Sequence, residues 1–250
     1  MEVDPWDIRI SDQRVEDQLI TFIIFCEDEV SEPLYFRSFG SDRVKINEIP
    51  NQRSKKLNLE NAIQKCTEDG LMHFDGKRHK VLDSIDEKIW CVYDRDLEHT
   101  DLTQIKKVND LQFDNAISLA EDAGIRVAWS NDCFELWILL HFEEVVNDQA
   151  FHRDFVYERL TEVFKAIPNQ HEDLARITGH PDFYYKNNFK KRYDFLTSVL
   201  PLLKERRDVA IERSKVLQAH FAQTNPAYHL RNPCTMVHEL VLSILDAERN

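Results

Sequence analysis

The chain has 250 residues, 42% of them hydrophobic, and a formal net charge of −13 at pH 7. This composition predicts a globular protein of one large or two smaller domains, and the net charge excludes a protein that coats nucleic acid by bulk attraction. Because no apolar run approaches the roughly 20 residues that cross a bilayer, and the amino-terminal residues lack the layout of a signal peptide, we expect a cytoplasmic protein.

The first predicted strand covers residues 20–26, a run of Ile, Phe, Thr and Cys that ends in acid at residue 27. Since this run has no polar face, it predicts a strand buried on both faces, in the middle of a parallel sheet that helices cover. Residues 31–40 follow as a predicted helix, with Ser31 as its N-cap, Pro33 in its first turn and Gly40 at its end.

Strands and helices alternate along the next hundred residues. Further strands are predicted over residues 44–49, 88–94 and 125–129; helices over residues 57–66, 113–123 and 130–142; and a loop with a short helix over residues 70–87. This order predicts an α/β fold of the doubly wound kind, with a mainly parallel sheet.

The second half of the chain has helical periodicity and no predicted strand. Its helices are expected over residues 151–166, 189–200, 201–221 and 235–248. We therefore expect an α/β domain over residues 1–150, and a helical layer or subdomain over residues 151–250 that packs on it.

Two of the buried strands end in carboxylates. Glu27 follows the first strand, and Asp94 and Asp96 end the strand that begins at residue 88. The carboxyl ends of parallel strands form the edge where open α/β sheets bind ligands, and an extended Asp-x-Asp directs both side chains to one side. Three converging carboxylates repel one another unless a cation with a preference for oxygen, such as Mg²⁺, joins them. The alternative interpretation is that each acid caps the helix that follows it.

Two further acids have similar alternatives. Glu32 is either a first-turn carboxylate favoured by the helix dipole or a ligand of a second metal. Glu135 either forms a capping box with Asp132 or faces the metal pocket. His141, in the same apolar segment, is interpreted as a buried histidine rather than a catalyst.

Four segments of the chain resemble the motifs of RloB-like proteins, in the same order. The segment Cys26-Glu-Asp-Glu-Val-Ser-Glu-Pro-Leu-Tyr-Phe36 resembles the family opening Cys-Glu-Gly-Glu-x-Thr-Glu-Pro-x-Tyr-Phe. The other three are Val92-Tyr-Asp-Arg-Asp96, the segment from Ser130 to Phe142, and Asn232-Pro-Cys-Thr-Met-Val-His238. The chain departs from the family pattern where Asp28 replaces a glycine and Asp132 replaces a proline.

The resemblance implies a TOPRIM-type domain that binds Mg²⁺ (or Mn²⁺). By matching position, it implies that Glu27 is a general base or metal ligand, that Asp94 and Asp96 are metal ligands, and that Glu32 and Glu135 support them. It also implies a role in bacterial phage defence or abortive infection, often beside a partner ATPase of the ABC type. Related TOPRIM effectors are nucleases, and some of them cut tRNA.

Residues 184–193 interleave aromatic side chains with positive charges, a mixture that suits stacking on unpaired bases and contact with phosphates. The candidates in this segment are Tyr185, Lys186, Lys190, Lys191 and Arg192; Lys55 and Lys56 form a second candidate for phosphates before a helix. The alternative for both groups is a solvated helix face.

The leading hypothesis from the sequence is a metal-dependent nuclease that acts on RNA or DNA as the effector of a defence system. A regulatory or scaffolding subunit that binds a partner ATPase is the alternative from a different class. A third hypothesis is a site that binds a nucleotide without cutting nucleic acid. The sequence gives no indication of the oligomeric state.

Overall fold

Seven strands form two sheets in the computed structural model, which describes residues 19–50, 58–85 and 87–249. The strands are β1 (Ile20–Phe25), β2 (Val44–Ile49), β3 (Met72–Phe74), β4 (His79–Val81), β5 (Lys88–Asp94), β6 (Arg126–Asn131) and β7 (Cys234–Thr235). The main sheet has the order β2-β1-β5-β6-β7, and β3 and β4 form a separate antiparallel pair. Helices fill most of the intervals, so the predicted α/β class is confirmed.

The helices are α1 (Ser31–Arg37), α2 (Asn58–Glu68), α3 (Lys107–Ala123), α4 (Glu135–Leu140), α5 (Arg153–Ala166), α6 (Glu172–Thr178), α7 (Tyr185–Asn188), α8 (Arg192–Asp194), α9 (Leu200–Ala222) and α10 (Val237–Arg249). A π-helical turn, Phe195–Val199, joins α8 to α9. No helix in the described part of the chain is both long and apolar enough to span a bilayer.

The first four strands of the main sheet run parallel. In register, Phe22 of β1 lies beside Lys88 of β5, and Trp90 of β5 lies beside Arg126 of β6. Only β7 is antiparallel, with Thr235 beside Ser130. The carboxyl ends of β1, β5 and β6 therefore lie at one edge of the sheet.

Both faces of the sheet are buried, as the unbroken apolar runs predict. Phe22 and Trp90 belong to one hydrophobic cluster, which includes residues of α4, α5, α9 and α10. Ile23 and Ile89, their neighbours in sequence, belong to a second cluster with residues of α2. The helices after residue 150 thus share a core with the sheet.

Several predicted boundaries are wrong. Residues 70–87 contain the β3–β4 hairpin rather than a short helix, and its turn has Gly76 at φ 98°. The helix predicted from residue 113 begins at Lys107, although it ends at Gly124 as expected, with φ 83°. The second half holds a strand, β7, where none is predicted. The helix expected over residues 189–200 is instead the α8 turn and the π-helical turn.

Candidate metal centre

A cavity of about 460 Å³ lies at the carboxyl edge of the sheet. Its walls come from the loop after β1, the end of β5, the start of α4, and helices α5 and α7. The acidic residues that line it are Glu27, Asp28, Glu29, Glu32, Asp94, Asp96 and Glu135, and the basic ones are Arg153, Lys186 and Lys190. All five acids predicted from the sequence as metal ligands or their supports therefore border one cavity, and their roles stay predictions.

Two acids fix the loop between β1 and α1. The Glu32 side chain is buried, and its Oε2 accepts hydrogen bonds from the backbone N–H groups of Glu27 at 2.7 Å and Asp28 at 3.4 Å. The Asp28 carboxylate accepts from the backbone N–H groups of Val30 at 3.2 Å and Ser31 at 3.0 Å. The predicted N-cap, Ser31, is instead the first residue of α1, the N-cap position is Val30, and the carboxylate of Asp28 before it satisfies the first N–H groups of the helix. The residue that departs from the family glycine binds the helix start and holds the loop in place.

Asp94 and Glu27 are linked across the edge of the sheet. The backbone N–H of Asp94 donates to Oε2 of Glu27 at 3.2 Å. Oδ2 of Asp94 accepts from the backbone N–H of Phe134 at 2.8 Å, at the start of α4. The other oxygen, Oδ1, is buried and has no hydrogen-bond partner among the residues that the structure describes. A buried acceptor of this kind usually marks a bound ion, a water or a functional group.

Burial in the cavity raises the pKa of three of its carboxyls, those of Asp94, Glu32 and Glu135. Burial raises the pKa of Asp94 well above its usual range, and the charges of Glu32 and Glu27 raise it further. Burial is also the largest cause of the raised pKa of Glu32, followed by the charge of Asp28. The pKa of Glu135 is raised by burial and then by Asp28, although hydrogen bonds, including one with the side chain of Tyr157, oppose the shift. Protons or a cation therefore relieve the repulsion at this site.

Asp96 does not continue an extended strand. Its φ is 54°, in the left-handed region, so the segment does not stay extended, which is the condition for both side chains to point to one side. The Asp96 side chain is 63% exposed and forms an ion pair with Arg153. Within residues 19–50, 58–85 and 87–249, no group of three or more His, Cys, Asp or Glu side chains is arranged to hold a metal ion.

Asp132 does not form the predicted capping box with Glu135. The N-cap position of α4 is Phe134, and no side chain caps it. Asp132 is fully buried instead, and its two oxygens accept from the backbone N–H groups of Leu97 at 2.7 Å and Arg153 at 2.8 Å. This carboxylate therefore joins the segment after β5 to the first turn of α5.

His141 lies away from the cavity in the hydrophobic core, as expected of a buried histidine. Only 1% of it is exposed, and its Nδ1 lies 2.9 Å from the carbonyl oxygen of Trp137. Burial lowers its pKa to about 4, so it is neutral at pH 7.

Tyr185 is not a surface for stacking on bases. It is only 3% exposed, and its ring packs against Phe164 and Phe189, with centroids 5.1 and 5.2 Å away. The prediction that this ring stacks on bases is therefore wrong, because the ring packs in the core beneath α7, although Tyr185 also lines the cavity.

The predicted basic residues fall into three groups. Lys186 and Lys190 line the cavity, and Nζ of Lys186 lies 4.9 Å from the ring centroid of Tyr157. Lys191 and Arg192 are exposed beyond it. The remaining two candidates, Lys55 and Lys56, lie outside the described residues.

Among the residues of the cavity wall that sequence reasoning missed are Arg153 and Tyr157 on α5. They lie one helical turn apart, which places both on the same side of the helix. Local sequence gives no sign that this side faces the acids, because α5 follows β5 by about sixty residues.

Together these features define an α/β protein with a carboxylate-rich cavity at the carboxyl edge of a mainly parallel sheet. The family model described as RloB-like protein matches residues 22–244 of the chain. The chain therefore belongs to the RloB-like family, as the resemblance of its four segments predicts. No curated protein and no solved structure matches it.

Proposed function

We propose that this protein is a Mg²⁺-dependent nuclease of the TOPRIM type that hydrolyses phosphodiester bonds in RNA, such as tRNA, or in DNA. The observation that supports the proposal most directly is the environment of one atom, Oδ1 of Asp94. This oxygen is buried among four other acids and has no hydrogen-bond partner within the described part of the chain. Such an oxygen costs free energy unless a cation or a proton binds it.

The donor set fits Mg²⁺ or Mn²⁺, because both prefer carboxylate oxygens. Glu27 and Asp94, which already contact each other, would hold the ion. Asp96 would join them once it leaves Arg153. A bound Mg²⁺ would neutralise phosphate charge and lower the pKa of an attacking water.

The other residues of the cavity have separate roles in this proposal. Glu32 fixes the loop that carries Glu27 by accepting from two backbone N–H groups. Lys186 and Lys190 border the same space and would bind phosphates of the strand. Glu27 also has the role of general base if its carboxylate reaches the attacking water.

Membership of the RloB-like family supports the biological part of the proposal. By family resemblance, the nuclease would act as the effector of a phage-defence or abortive-infection system, beside a partner ATPase of the ABC type. Co-purification of the protein with the product of a neighbouring ATPase gene would test this part separately from the chemistry.

The direct test of the chemistry is cleavage by purified protein. Labelled tRNA, single-stranded RNA, and single- and double-stranded DNA are incubated with Mg²⁺ or Mn²⁺. The protein should cut at least one substrate, and Asp94→Ala should not. Asp83→Ala, which removes an exposed carboxylate of the chain, is the matched control and should cut like the wild type. If Asp94→Ala cuts as well as the control, Asp94 is not a metal ligand of a nuclease.

One observation favours the alternative of a regulatory or scaffolding subunit. Asp96 pairs with Arg153, and within the described residues no group of three or more His, Cys, Asp or Glu side chains is arranged to hold a metal ion. The two hypotheses differ in cells, where the double variant Glu27→Gln, Asp94→Asn should lose phage protection only if the protein is a nuclease. Thermal shifts with ATP or cyclic oligonucleotides would instead indicate a nucleotide-binding subunit.

A further inference from the structure

We infer that Arg153 is a phosphate-binding residue of this cavity, and that Asp96 pairs with it until a divalent cation binds that carboxylate. The inference rests on the proposed function, because it assigns a second role to the same site. According to this inference, Asp96 and Arg153 exchange partners between two states, and the ion pair in the structure is one of them. In the other state, Asp96 binds the cation and the guanidinium binds a phosphate oxygen.

Arg153 is fixed at its base by contacts that the exchange leaves intact. Its backbone N–H donates to Oδ2 of buried Asp132 at 2.8 Å, and its Nε lies 3.6 Å from the same oxygen. Its Nη2 donates to the carbonyl oxygen of Leu97 at 2.7 Å. A guanidinium held at two of its nitrogens loses little further freedom when it binds a ligand.

The ion pair between Arg153 and Asp96 is more exposed to solvent than these contacts. Nη1 of Arg153 pairs with Asp96, whose side chain is 63% exposed, whereas the Arg153 side chain is 20% exposed. Exposed ion pairs add little stability, so a stronger partner can replace this one. A divalent cation is such a partner for the carboxylate, and a phosphate, which guanidinium groups bind through paired N–H donors, is such a partner for Arg153.

The position of Arg153 supports the assignment. It lines the same cavity as Asp94 and the two lysines, Lys186 and Lys190. A phosphate that enters a cavity lined by seven carboxylates needs positive charge close by. Arg153 also forms an ion pair with Asp96, a predicted metal ligand that lines the same cavity.

The test measures cation binding and phosphate binding separately. Calorimetry with Mn²⁺ compares the wild type with Arg153→Gln, Arg153→Lys and the control Arg159→Gln. Arg159 lies on the same helix and pairs with Glu143, outside the cavity lining. Arg153→Gln should bind Mn²⁺ about two- to fivefold more tightly because Asp96 no longer has a competing partner. Arg159→Gln should not change the affinity.

The second measurement is fluorescence anisotropy of labelled single-stranded RNA and DNA in Ca²⁺. Arg153→Gln should weaken binding of at least one of the two probes about tenfold or more, and Arg153→Lys should weaken it less because it keeps the charge. If Arg153→Gln does not fold, Arg153→Lys decides: oligonucleotide binding weaker than that of the wild type and of Arg159→Gln supports the assignment of Arg153 to phosphate, and unchanged binding overturns it.

The outcomes separate this inference from the proposed function. Unchanged or weaker Mn²⁺ binding by folded Arg153→Gln overturns the exchange, even if the wild type cuts nucleic acid. Tighter Mn²⁺ binding together with weaker oligonucleotide binding supports it, even if the wild type proves not to be a nuclease.

Discussion

Replacing Asp94 with asparagine should stabilise the protein in the absence of metal. The amide keeps an oxygen that can accept from the backbone N–H of Phe134. Its NH₂ group replaces Oδ1, which has no hydrogen-bond partner among the described residues, and can donate to the surrounding carboxylates. An unsatisfied buried polar group costs about 1–3 kcal/mol, so we expect a gain of that order. For a chain of this size, each kcal/mol raises Tm by about 2–4 °C.

The assay is thermal unfolding with and without Mg²⁺. In EDTA, Asp94→Asn should melt above the wild type. When Mg²⁺ is added, the wild type should gain stability through binding to the folded state, and the variant should gain much less. Asp83→Asn makes the same change in charge at an exposed position and should leave both the metal-free Tm and the Mg²⁺ response unchanged.

A metal-free Asp94→Asn protein that melts below the wild type would refute this reasoning, since the buried oxygen would then have a stabilising partner. A variant that keeps the full Mg²⁺ response would refute the assignment of Asp94 as a ligand.

Three further predictions follow from the same region. The Tm advantage of metal-free Asp94→Asn over the wild type should grow as pH rises from 5 to 8. The pKa of Asp94 is higher in the folded state than in the unfolded state, where it is about 4. The wild type therefore has its full stability below the unfolded-state pKa and loses stability as pH rises through the folded-state pKa, because the buried carboxyl then loses its proton. Mg²⁺ titrations over the same range should show tighter binding at higher pH, because protons compete with the cation at Asp94. In urea, Glu32→Ala should lose about 1–3 kcal/mol of unfolding free energy because two backbone N–H groups lose their acceptor. Asp132→Ala should lose about 3–5 kcal/mol because two backbone N–H groups lose their buried acceptor and Arg153 loses one of its two carboxylate partners. Losses below about 0.5 kcal/mol would contradict both predictions.

The sheet and the first two acids of the cavity could be predicted from the sequence because both follow from local pattern. The apolar runs that end at Glu27 and Asp94 indicate buried parallel strands, and parallel strands bring their carboxyl ends to one edge. Asp96 shows where this reasoning ends. Its left-handed backbone and its partner Arg153, 57 residues later, depend on tertiary contacts that a local pattern does not contain.

Tyr185 shows a second limit of the pattern. An aromatic residue between lysines suits base stacking, and it suits equally well a short helix that buries its ring while its neighbours remain in solvent. In contrast, the β3–β4 hairpin had a usable local signal. Asp75-Gly76 between short alternating segments is a known turn sequence, and Gly76 adopts the positive φ that such turns require.

The position of the short strand β7 near the end of the chain affects how the protein can fold during its synthesis. Because Thr235 pairs with Ser130, and the helix after it packs on β6, the sheet lacks an edge strand and part of its cover until residues 234–245 leave the ribosome. An amino-terminal half that folds before these residues appear therefore lacks one edge strand and part of the apolar cover of its sheet. A nascent chain interrupted near residue 150 would expose apolar surface to chaperones and proteases and would lack the walls contributed by α5 and α7.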